Sequence, residues 1–157
     1  MEEEFLGILD RHQAILHKVC RLYRDTEADR EDLFQEILYH LWKAYPSFQG
    51  RAKITTWIYR IALNTALATF RRNEPMLLFS AELPQRKINA KAEVDEQLEL
   101  MLEAMKKLKE VDRAILSLYL DDMTYEQIAQ IIGITSSNVG ARLHRIKTKL
   151  KAFLSEA

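Results

Sequence analysis

Residues 124–139 read Thr124-Tyr125-Glu126-Gln127-Ile128-Ala129-Gln130-Ile131-Ile132-Gly133-Ile134-Thr135-Ser136-Ser137-Asn138-Val139. Thr124 and Gln127 have the spacing of a capping box, in which the hydroxyl serves the Gln127 backbone and the Gln127 side chain reaches back. The helix they open is short, Tyr125 to Ile132, and Gly133 stops it in the manner of a glycine just past a helix C-terminus. Thr135-Ser136-Ser137 then starts a second helix that runs to about Leu154. Two helices joined by a tight glycine turn make a helix-turn-helix unit, and Ala129, Gly133 and Val139 supply its small contact residue, turn glycine and buried aliphatic. In the second helix Val139, Leu143, Ile146 and Leu150 recur at i, i+4, i+7 and i+11, a stripe for burial. Asn138, Arg142, Arg145 and Lys149 recur at the same spacing beside it, a polar and basic stripe for solvent or a ligand. A recognition helix places N-terminal residues at base edges and arginines on bases or phosphates. A hairpin serving packing alone has no need of such an acid-free outer face, so the pattern points to DNA.

Upstream the chain is also helical in pattern. A first segment, about Glu3 to Arg24, carries Phe5, Ile8, Leu9, His12, Ile15, Leu16 and Val19 on one stripe. Thr26-Glu27-Ala28-Asp29 offers a capped start to a second helix, whose Leu33, Phe34, Ile37, Leu38, Leu41, Trp42 and Tyr45 form the strongest helical signal in the chain. Pro46 ends it, Ser47 to Lys53 is a short loop, and a third helix runs from about Thr55 to Arg72. Asn73 to Ala92 holds two of the three prolines and no sustained period, so it reads as a linker. Helix resumes from Glu93, with Leu98, Met101, Leu102 and Met105 on one face, and a further helix spans about Val111 to Leu120. The expected fold is all-α: two small helical domains joined by a flexible linker, the C-terminal one a helix-turn-helix domain. The expected boundaries are 1–72, a linker 73–93, and 94–157.

Length and composition exclude much else. The 157 residues suit one compact domain or two small ones. With 4 Gly and 3 Pro there are too few turn residues for a many-stranded barrel or sandwich. No apolar run approaches a membrane span, and Met1-Glu2-Glu3-Glu4 is too acidic for a secretory leader. A single cysteine, Cys20, allows no internal disulfide and fits a reducing cytoplasm. The net charge of zero hides a segregation. Between Glu36 and Glu74 there is no acid but there are Lys43, Arg51, Lys53, Arg60, Arg71 and Arg72; between Glu126 and Glu156 there is no acid but there are Arg142, Arg145, Lys147, Lys149 and Lys151. Two acid-free basic blocks in a neutral chain suggest two polyanion contacts.

The stretch from Asp122 to Thr135, with Val139 and Arg142-Leu143-His144-Arg145, resembles the promoter-reading domain of bacterial RNA polymerase sigma factors. The N-terminal half agrees independently. Asp32-Leu33-Phe34-Gln35-Glu36, with Trp42 later in the same helix, is similar to the family's core-polymerase-binding helix, and Phe48-Gln49-Gly50 with Thr56 to Asn64 is similar to its promoter-melting segment. The short chain and the direct step between the halves resemble the extracytoplasmic-function group. Gly140 stands where the family usually has a polar or basic residue, Gln49 replaces a common arginine and Ile54 a common phenylalanine. These departures bear on which promoter is read rather than on the class.

The resemblance implies three sets of residues. Upstream-element contacts are expected from Thr135, Ser136, Ser137, Asn138, Arg142, Arg145 and Lys149, with Asn138 and Arg142 at base edges and Arg145 and Lys149 nearer phosphates. Downstream-element contacts and strand opening are expected from Phe48, Arg51, Lys53, Thr56, Arg60, Asn64 and Arg71. Core-polymerase binding is expected from Asp32, Gln35, Glu36 and Tyr39. The implied partners are the bacterial polymerase core and promoter DNA, with an anti-sigma factor as a further candidate, and the implied location is the cytoplasm without membrane insertion. No cofactor is expected. His17 and Cys20 lie one helical turn apart, but no second pair has metal-site spacing, so no metal is expected either. A phosphate-binding glycine loop and the serine- and zinc-hydrolase motifs are missing from the sequence, so an enzyme reading has no residue set to name. Two other classes stay open on the residues alone: a stand-alone helix-turn-helix regulator, and a helical adaptor that uses the Leu33–Tyr45 helix to bind protein.

Overall fold

The computed structural model describes residues 1–72 and 96–155, with the side chains of 69–72 and of Leu98 outside that description. The chain divides into two compact units, Met1–Ala90 and Lys91–Ala157. Every regular element among the described residues is helical. The expected linker, 73–93, lies outside the described residues.

The first unit is built on three helices, α1 (Glu2–Tyr23), α2 (Glu27–Ala44) and α3 (Ile54–Arg72), each packed on the other two. Phe5, Leu9, Leu16, Val19 and Leu22 of α1 meet Leu33, Phe34, Ile37, Leu38 and Leu41 of α2 and Ile58, Tyr59, Ala62, Leu63 and Ala66 of α3 in one buried core. In α1 and α2 most of these belong to the expected stripes, because residues three and four apart share a helix face, while Ile8, His12 and Ile15 of the α1 stripe are half-buried and Leu22 joins the core from outside it. Thr26 caps α2 by accepting from the Asp29 N–H at 3.1 Å. Helix α1 is not continuous: His12 takes φ −122° and ψ 17°, and the helix kinks there. A single turn of 3₁₀ helix, Tyr45–Ser47, follows α2 around Pro46.

Aromatic rings run through the outer part of this unit. Phe5 packs edge-on against Trp42 with centroids 5.0 Å apart and lies 5.3 Å from Tyr45. Tyr45 is 6.2 Å from Trp57, and Trp57 is 4.9 Å from Phe48. The rings thus connect the start of α1, through the end of α2 and the start of α3, to the 48–53 loop.

The second unit holds α4 (Glu96–Lys106), α5 (Glu110–Leu120), α6 (Tyr125–Ile132) and α7 (Ser136–Ser155). Ala114, Ile115, Leu116 and Leu118 of α5 and Ile128 and Ile131 of α6 close on Val139, Leu143 and Ile146 of α7. The α4–α5 turn is held by Arg113, whose Nη2 donates to the Lys106 carbonyl at 2.7 Å and whose Nε donates to the Leu108 carbonyl at 3.0 Å.

Candidate nucleic-acid interface

The local chemistry of α6 and α7 is the one their sequence implies. The Gln127 N–H donates to Thr124 Oγ1 at 3.1 Å, and the Thr124 N–H donates to Gln127 Oε1 at 3.0 Å, closing the capping box. Gly133 sits at φ 86°, a left-handed conformation that glycine alone adopts without strain, and its N–H bonds the Ala129 carbonyl at 2.8 Å. Thr135 then caps α7, its Oγ1 accepting from the Asn138 N–H at 3.2 Å. Thr135 is therefore committed to the helix end.

Along α7, Ser136, Ser137, Asn138, Arg145 and Lys149 are all exposed. Arg142 is the exception to the expected row. Instead of reaching outward, its Nη1 lies 3.1 Å from Oδ1 of Asp112, a nearly buried carboxylate in the first turn of α5. The cause is angular. Each residue of a helix advances about 100°, so Arg142 falls closer to the buried Val139–Leu143–Ile146 face than Asn138, Arg145 or Lys149 do. Asp112 is the residue that the sequence reading missed. An acid set among the apolar positions of α5 was the signal, since buried carboxylates need partners.

Gly140, one of the departures from the family pattern, faces α6, where a Cβ would meet the Tyr125 ring at 3.4 Å and 3.8 Å. Its neighbourhood is aromatic: Tyr125 lies 6.5 Å from Tyr119, whose ring carries Lys147 Nζ 4.4 Å from its centroid and whose hydroxyl accepts from that ammonium at 3.1 Å.

In the first unit, Arg51 and Lys53 are exposed in the loop after α2, and Arg60 and Asn64 are exposed on α3. Gly50 takes φ +71° with open space around it, so the loop turns at a residue that needs no side chain. Phe48 is half-buried against Trp57, which anchors the loop. Thr56 corrects the expected row: it is buried, at 4% exposure. The i, i+4 steps from Thr56 to Asn64 drift by about 80° around α3, which carries the first member of the row into the core side near Leu63 and Leu67. Arg71 is on the last turn of α3, and its side chain lies outside the described residues.

Asp32, Gln35, Glu36 and Tyr39 share the side of α2 away from the core, all half-exposed. Glu36 Oε1 lies 3.8 Å from His40 Nε2, while Oε2 is shielded from solvent and lacks a hydrogen-bond donor. Around the other flank, His17 stacks on Phe34 with centroids 4.9 Å apart, and burial lowers its pKa. Cys20 is buried at 3% exposure, and burial pushes its thiol up to about 12 against a weaker opposite pull from Arg24 and Arg30. Among the described residues no group of three His, Cys, Asp or Glu side chains is placed to hold a metal ion, and no helix is long and apolar enough to cross a membrane.

Sequence comparison matches the two units separately. Residues 8–75 match the model of Sigma-70 region 2, and residues 98–150 match that of Sigma-70, region 4.

The chain belongs to the extracytoplasmic-function group of sigma-70 factors.

Among its relatives this sigma factor is 27% identical to the RNA polymerase sigma factor YlaC of Bacillus subtilis, over 93% of this chain and 88% of that one. It is 25% identical to the ECF RNA polymerase sigma factor SigW of the same organism, over 99% of this chain and 91% of the other. Its fold is similar to that of the sigma factor RpoE of Bartonella quintana, solved in complex with the anti-sigma factor NepR. The match has a TM-score of 0.70 at 20% identity and covers 98% of this chain and 96% of that one. Sigma factors are transcription initiation factors rather than enzymes, and the expected class and all-α fold both hold.

Proposed function

We propose that this sigma factor joins bacterial core RNA polymerase through residues 1–72, reads the upstream promoter element through residues 94–157, and opens the duplex with the 48–53 loop and the exposed side of α3. The observation that carries the reading is the row Asn138, Arg145 and Lys149, solvent-facing on the second helix of a region 4 helix-turn-helix. Ser136 and Ser137 flank the row at the helix start. On the first unit, Arg51 and Lys53 give the loop its affinity for single-stranded DNA, Phe48 and Trp57 hold its base, and Asn64 with Arg60 offers hydrogen bonds to an unstacked base or its phosphate. Asp32, Gln35, Glu36 and Tyr39 form the core-binding face. The reading needs no cofactor or metal and places the protein in the cytoplasm. An anti-sigma factor is a further candidate partner, as NepR is for RpoE.

The test is size-exclusion chromatography with purified core polymerase, followed by transcription from a promoter library. Co-elution and promoter-dependent transcripts are expected. Duplex binding by the chain alone, without co-elution, would mark a stand-alone regulator instead. Gln35→Ala combined with Glu36→Ala should leave the helical content unchanged and weaken core binding by about 2–5 kcal/mol, the cost of losing a charged hydrogen bond at an interface.

A further inference from the structure

We propose that Asp112 is a restraint on the recognition helix: its pairing with Arg142 keeps that guanidinium on the protein side of α7, so that Arg142 positions the helix while its neighbours face DNA. The inference rests on the reading of α7 as the DNA-facing helix.

Asp112 is 8% exposed in the first turn of α5, and a carboxylate so shielded is favoured by a paired cation. Arg142 Nη1, at 3.1 Å, is that cation. The pair bridges 30 residues of sequence and ties α7 to the first turn of α5. Asp112 cannot follow Arg142 outward, because the next residue, Arg113, is fastened to the Lys106 and Leu108 carbonyls of the α4–α5 turn. The Arg142 side chain is still 39% exposed, so the restraint is electrostatic rather than steric: remove the carboxylate and the guanidinium has a path to solvent. A paired guanidinium is largely neutralised and adds little to phosphate attraction. A freed one adds a mobile cation beside the base-reading row, which strengthens binding to every sequence and blurs discrimination.

The experiment measures closed-complex formation by the reconstituted holoenzyme across a salt series, on a promoter and on the same promoter with its upstream element scrambled. The variants are Asp112→Asn, Arg142→Ala and the double substitution. Asp112→Asn should steepen the log–log salt slope by about 0.9, one additional phosphate contact, and should lower discrimination between the two promoters several-fold. Both effects should vanish in the Arg142→Ala background. An unchanged slope in folded Asp112→Asn overturns the proposal, and so does a steepening that persists without Arg142, since that would reflect lost negative charge alone. If Asp112→Asn does not fold, Arg142→Met decides by the salt slope: a wild-type slope supports the restraint, because a paired guanidinium makes no phosphate contact to lose, and a slope shallower by about 0.9 overturns it by showing that Arg142 already contacts phosphate. Arg145→Ala tests the reading of α7 separately. Weaker closed complexes there, with no coupling between Asp112 and Arg142, overturn the restraint alone; unchanged complexes overturn both.

Discussion

A glycine inside a helix costs about 1 kcal/mol relative to alanine, so Gly140 needs a reason. The Tyr125 ring supplies a modest one: a methyl group would touch it at 3.4 Å, an ordinary van der Waals distance. Gly140→Ala should therefore stabilise the second unit by about 1 kcal/mol in denaturant titrations, whereas a branched residue would displace the ring and lose the gain. Sequence could not assign this glycine, because what Gly140 faces belongs to another helix. The same limit explains Arg142, whose partner lies 30 residues upstream, and Thr56, whose row drifts out of alignment within two turns. Periodicity gives a residue's bearing on its own helix and says nothing of what stands opposite. Cys20 makes a second prediction. Its thiol ionises near 12 when folded and near 9.0 when exposed, so at pH 8.5 alkylation of the native protein should be about 1,000-fold slower than in urea by thiolate fraction alone. The sign for stability follows. The unfolded chain releases this proton first, so stability is unaffected well below pH 9 and declines as pH rises from about 9 towards 12.

Several helix ends were readable, because their signals lie beside them, whereas α1 and α5 start without a side-chain cap. Thr26, the Thr124–Gln127 box and Gly133 act within a few residues, and all are found in the expected roles. The kink at His12 was not readable: the apolar stripe from Phe5 to Val19 crosses it without interruption, and the break lies in one backbone pair of angles. Helix α3 carries the next test. With Thr56 buried, the members of the row with described side chains that stay exposed are Arg60 and Asn64. Asn64→Ala should spare core binding and closed-complex formation but slow strand opening. Permanganate reactivity of promoter thymines reads the opening, and a promoter supplied with a mismatched bubble should rescue it. Normal melting, or no rescue, would remove Asn64 from the opening step.

For the molecule as a whole, the segregated charge matches the proposed division of labour. One basic block surrounds the loop and exposed side of α3, the other lies on α7, and the compensating acids fall elsewhere in the sequence. The aromatic chain from Phe5 to Phe48 adds an optical consequence. Both tryptophans of the protein, Trp42 and Trp57, are links of that chain, while the described aromatics of Lys91–Ala157 are tyrosines and a phenylalanine. Indole emission is thus a private signal of the first unit, and far-ultraviolet dichroism is a shared one. In a urea titration of the full chain the two curves should separate, since each unit has its own core. Gly140→Ala should move the dichroism curve and leave the emission curve in place; emission that moves with it would reveal one cooperative molecule rather than two.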